Sequence, residues 1–87
     1  MHEDRDIEIA IVGLLAQRAP AASICPSEVA RALFSPDWRD AMPRVRRAAA
    51  RLALEARIRA TQGEQELAAD AIEDAHGPIR LRRGRNY

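Results

Sequence analysis

Ile7, Ile11, Leu14 and Leu15 recur at spacings of three and four, which places them on one face of a helix over about residues 4–18. The acidic first turn suits the positive end of the helix dipole, and Pro20 ends the element. Ser23-Ile24-Cys25 is too short for a helix and predicts a brief strand. Pro26 then opens a second helix at the position where a missing N–H costs nothing, with Cys25 as its N-cap and Glu28 at the capping-box position. Val29, Ala30 and Leu33 face inward. Ser35-Pro36-Asp37 combines a serine cap, a proline and an acid, which predicts a turn and a fresh helix start. Because proline is tolerated only near a helix beginning, the third helix is expected from Pro43 to about Arg59. Its apolar face is Val45, Ala48, Ala49, Leu52 and Ala56.

Beyond that helix the period changes. Ile58-Arg59-Ala60-Thr61-Gln62 alternates, Gly63-Glu64 offers a turn, and Ile79-Arg80-Leu81-Arg82 alternates with both aliphatics on one face. Residues 68–76 form an acidic insertion, either a helical turn or a loop, closed by Gly77-Pro78. The order helix, short strand, helix, turn, helix, two strands is that of a helix-turn-helix followed by a hairpin. The expected fold is therefore mainly α with a small β-hairpin, a winged helix-turn-helix, as one domain over residues 1–87. Its expected core is Ile7, Ile11, Leu14, Val29, Leu33, Val45, Leu52, Ile58, Ile79 and Leu81.

Composition narrows the function classes. Aromatic residues are 3% of the chain (Phe34, Trp38 and Tyr87), and the 47% apolar fraction leans on alanine, so closely approached helices with no room for a sizeable organic cofactor are expected. The longest apolar run, residues 9–16, is far short of the roughly 20 residues that span a bilayer. The acidic N-terminus is unlike a signal peptide, and a lone cysteine forms no intrachain disulfide, so a cytoplasmic location is expected. His2 and His76 pair with no serine or cysteine in any known local pattern and read as surface residues. With one cysteine they make no zinc site of recognisable spacing, and four scattered glycines make no phosphate loop. The chain is not expected to be an enzyme or to carry a metal or cofactor.

All 14 basic residues are arginine, whose planar fork binds phosphate or carboxylate bidentately. Net charge is only +1, but it is segregated. Residues 1–9 carry −3; residues 31–59 carry +5, from eight arginines against Asp37, Asp40 and Glu55. Residues 64–74 carry −5 and residues 80–85 carry +4. Cys25 invites two readings: a reactive thiol favoured by its helix N-terminus, or a small packed residue beside Ile24. The absence of a resolving cysteine favours the second. Trp38 likewise reads as a core anchor near Phe34 rather than a stacking platform.

The segments Ile24-Cys25-Pro26-Ser27-Glu28-Val29-Ala30-Arg31-Ala32-Leu33, Asp37-Trp38-Arg39, Met42-Pro43-x-Val45-Arg46 and Gly77-Pro78-Ile79-Arg80-Leu81 together resemble a family of small bacterial proteins catalogued as a domain of unknown function. The resemblance implies a winged-helix-like fold and transfers no activity. Charge and fold then support two expectations. In the first, duplex DNA is bound through Arg44, Arg46, Arg47 and Arg51 of the third helix, with Arg80, Arg82 and Arg83 of the last strand on the flanking phosphates, as in a transcriptional regulator. In the alternative, the acidic 64–74 segment and the arginine face dock a protein partner or a second copy.

Overall fold

The N-terminus of helix α1 (Asp4–Ala16) is held by a hydrogen bond from the Glu3 backbone N–H to Asp6 Oδ2 at 3.0 Å. The computed structural model, which describes residues 2–87, places Ile7, Ile11 and Leu15 of this helix at the centre of the core. Leu14, expected beside them, lies on the edge of that face and is only half-buried. After β1 (Ser23–Ile24), helix α2 (Pro26–Phe34) starts as expected, with Cys25 and Glu28 forming the capping box. The Cys25 N–H donates to Glu28 Oε2 at 2.8 Å, and Val29 and Ala30 are buried. Leu33 is half-buried against the core, not inside it.

Helix α3 (Trp38–Leu54) differs from the expected span at both ends. It begins five residues before Pro43, which sits in the helix interior. Proline removes the bond that the Arg39 carbonyl would accept, but Arg39 and Pro43 are both exposed, so water can satisfy that carbonyl. It ends at Leu54 because Ala56 turns into the left-handed region, with φ of 57°. The Arg57 N–H then donates to the Leu52 carbonyl at 3.0 Å and the Ala56 N–H to the Ala53 carbonyl at 3.0 Å, the two bonds of a Schellman motif. Ala56 is therefore the helix stop and does not extend the buried face. The tail closes the same corner: the Asn86 N–H donates to the Ala56 carbonyl at 2.9 Å, and Gly84 lies so close to that carbonyl that a Cβ there would collide with it.

The β-structure exceeds the small hairpin expected. Strand β2 (Ile58–Gln62) forms a hairpin with β3 (Gln65–Leu67), and β4 (Arg80–Arg83) pairs antiparallel with both β1 and β2, giving the order β1-β4-β2-β3. Ala60 stands opposite Leu67 on one side and Leu81 on the other, and Ile24 is opposite Leu81, so small and aliphatic residues share the face that meets the helices. The molecule is an α+β fold of three helices and a four-stranded antiparallel sheet. The acidic insertion is not purely a surface loop. After a single 3₁₀ turn (Ala69–Ala71), Ile72 is fully buried and anchors the segment against α3. The remaining core is as expected: Val45, Leu52, Ile58, Ile79 and Leu81 are buried with Ala48, Ala49 and Ala60.

Candidate nucleic-acid interface

The apolar face of α3 turns its arginines outward, where they meet three different surroundings. Arg47 forms a bidentate pair with Asp4, Nη2 to Oδ1 at 2.9 Å and Nε to Oδ2 at 3.2 Å. That hydrogen-bonded guanidinium holds the Asp4 carboxyl below its ordinary range, and the carboxylate in turn raises the pKa of Arg47. One turn on, Arg51 Nε lies 3.5 Å from Glu8 Oε2. Both guanidiniums stay open to solvent, with side chains 50% and 67% exposed, so these are surface pairs worth little and easily exchanged.

The other predicted contacts are tied into the fold. Arg44 donates to the His2 carbonyl and lies 5.1 Å from the Phe34 ring. His2, expected at the surface, is half-buried edge-on to that ring at 5.2 Å. Arg46 donates to the Ala75 carbonyl at 2.6 Å and the Gly77 carbonyl at 2.9 Å, clamping the end of the acidic insertion to α3. Arg80 donates to the Ser23 hydroxyl at 2.8 Å, to the Ser23 carbonyl at 3.0 Å, and to Cys25 Sγ. Arg82 reaches Thr61 Oγ1 and the Ala21 carbonyl, both at 3.3 Å. Arg83 donates to the Leu15 carbonyl at 3.0 Å and the Arg18 carbonyl at 3.1 Å, supplying the cation that the last turn of α1 lacks. Each of these five arginines, Arg44, Arg46, Arg80, Arg82 and Arg83, donates to at least one backbone carbonyl of another segment, although Arg83 Nε is buried without a partner among the described residues.

Outside the predicted set, two arginines gather on one aromatic ring. Arg31, in the last turn of α2, and Arg39, in the first turn of α3, lie 4.3 and 4.4 Å from the Trp38 ring centre, within cation–π range. Both are exposed, and neither donates a hydrogen bond to another described residue. Trp38 is half-buried against the core, as Phe34 is, and so anchors the corner on which the two arginines gather. The signal for this cluster was present as Trp38-Arg39. Starting the helix at Pro43 hid it, because that assigned both residues to a turn. Acid lies beside Arg47 and Arg51: Asp4 and Glu8 from α1, and Glu73 of the insertion, whose charge also acts on Arg47.

Three helices on an antiparallel sheet, with charge concentrated along α3 and its corner with α2, define a small α+β domain with an arginine-rich outer helix. The chain belongs to the DUF3253 family, described as a protein of unknown function, whose model matches residues 4–84. Comparison with curated proteins gives no match. Among the described residues no helix is long and apolar enough to cross a membrane.

Proposed function

We propose that this chain is a winged-helix domain that binds duplex DNA, with α3 as the helix that enters the major groove. The topology supports the reading. Helices α2 and α3 follow β1 as a helix-turn-helix pair, and β4 returns between β1 and β2 as the second strand of a wing. Strand β3 and the 3₁₀ turn then elaborate the connection between the two wing strands. In such folds the second helix of the pair carries the base contacts and neighbouring basic residues hold the phosphates.

The observation that carries the proposal is the row Arg39, Pro43, Arg47, Arg51. These residues are spaced by four, all are exposed, and Arg31 stands beside the leading end. Twelve residues of helix place the three guanidiniums along about 18 Å, the length of roughly five base pairs. The contact set thus becomes Arg31, Arg39, Arg47 and Arg51, while Arg44, Arg46, Arg80, Arg82 and Arg83 act as staples. The protein-docking alternative has less to rest on, since Ile72 anchors the 64–74 segment in the core and Arg46 holds the chain just beyond it, at Ala75 and Gly77, to α3.

Fluorescence anisotropy with a mixed-sequence duplex tests the reading. Arg31→Glu with Arg39→Glu is expected to weaken binding at least tenfold, about 1.4 kcal/mol, while Arg85→Glu, an exposed arginine off the row, changes it less than twofold. Equal losses from both changes, or none from the first, would remove the row from the interface.

A further inference from the structure

Helix α3 carries five arginines and one acid, Asp40, in its first turn. Asp40 stands seven residues before Arg47, so at 3.6 residues per turn it lies about 20° from that arginine around the helix axis, on the side of the arginine row. It is exposed. Among the described residues the carboxylates that pair with arginine are those of Asp4, Glu8, Glu28 and Glu66, and Asp40 is not one of them. The helix dipole favours an acid anywhere in that turn and does not account for its standing on the arginine side. An open carboxylate on a face that meets phosphate weakens binding by like-charge repulsion unless a donor on the DNA meets it.

We infer that Asp40 selects a cytosine, accepting a hydrogen bond from its N4 amino group in the major groove. This rests on the DNA-binding reading and adds a base preference to it. In a helix-turn-helix the N-terminal residues of the second helix contact the base edges. The exposed side chains of residues 38–46 are Arg39, Asp40 and Pro43. Arg39 lies over the Trp38 ring with Arg31, where the two gather charge for phosphate. Pro43 has neither donor nor acceptor, and its compact ring lets the backbone come close enough for a short carboxylate to reach a base. Asp40 is then the acceptor at the leading end. The major groove presents two amino donors, cytosine N4 and adenine N6, while guanine and thymine turn acceptors toward it. Adenine sets its N7 acceptor beside N6, where it repels the second carboxylate oxygen; cytosine shows its amino group alone. A carboxylate therefore rejects guanine and thymine and prefers cytosine to adenine. Arg31, Arg39, Arg47 and Arg51 stay on phosphates.

Selection from a duplex pool with a randomised central segment tests this, with Asp40→Asn and Asp37→Asn alongside. The native chain is expected to enrich a cytosine at one position, about fivefold over each other base. Asp40→Asn should lose that cytosine and favour adenine there, because an amide pairs with adenine N6 and N7. Asp37→Asn removes an equal charge at the N-cap of the same helix and should keep the cytosine. A role in the helix dipole alone would move the melting temperature and leave base identity untouched. Cytosine retained by Asp40→Asn, cytosine lost equally in Asp37→Asn, or a bound pool with no enriched cytosine would overturn the inference while leaving DNA binding intact. A native chain that retains no duplex from the pool would instead overturn the DNA reading, and this inference with it.

Discussion

Removing the acids that cover the α3 row should tighten DNA binding. Asp4 and Glu8 occupy the positions at Arg47 and Arg51 that phosphate oxygens would take, with Asp4 engaged bidentately. The arginine side chains are 50% and 67% exposed, so each pair holds its arginine back only weakly, by a factor of about two. Asp4→Asn with Glu8→Gln frees both guanidiniums and is expected to raise duplex affinity about four- to fivefold at 100 mM salt. Anisotropy titrations measure this directly, with Glu64→Gln plus Asp70→Asn as a control of equal charge change in the acidic 64–74 segment. The control should also strengthen binding, because those acids repel phosphate, but by less, since its acids form no hydrogen bond with the row. The Asp4 carboxyl is held below its ordinary value of 3.8 by Arg47, so it stays charged and the part of the gain due to Asp4→Asn should be flat from pH 5 to pH 8. A gain no larger than the control's would refute the idea that these carboxylates stand in for phosphate.

Further outcomes follow from the fold. Leu52→Ala, at a fully buried position, should cost about 2–5 kcal/mol in denaturant unfolding; a loss under about 0.5 kcal/mol would mean the inner face of α3 is misassigned. Ala56→Gly should stabilise the protein by about 0.5–1 kcal/mol, because the left-handed backbone there strains an alanine, and a lower melting temperature would contradict the Schellman stop. Glu28→Gln should cost about 0.5–1 kcal/mol at pH 7, allowing for a side chain that is 35% exposed. The Cys25 N–H, and then Arg18, hold the Glu28 carboxyl below its usual 4.5. Its contribution is thus complete above that value and lost as pH falls through the lower folded one, so the two proteins should converge below pH 4. A gap that persists or widens there would reverse the sign.

Much of this architecture was legible because its signals are local. The Ile7–Ile11–Leu15 spacing, the Cys25-Pro26-x-Glu28 start and the alternation in β2 and β4 each follow from a few adjacent residues. What escaped depended on surroundings. Pro43 looks like a helix start unless the freed Arg39 carbonyl is known to face water, which burial alone reveals. Ile72 is the one large aliphatic among residues 68–76, with no period to mark it as core. The site suffered more than the fold. Charge counts treat all arginines alike, yet Arg46 is committed to carbonyls 29 and 31 residues away, and Arg83 to one 68 residues away. Only the meeting of distant segments separates a staple from a free guanidinium.

The central claim is best tested on the native protein alone, by measuring affinity for a mixed-sequence duplex across a salt series. Four arginines meeting four phosphates predict that log affinity falls against log salt with a slope of about −3.6, with binding evident at micromolar protein and about 50 mM salt. No binding under those conditions, or affinity indifferent to salt, would contradict the claim that the α3 row is a DNA-binding surface.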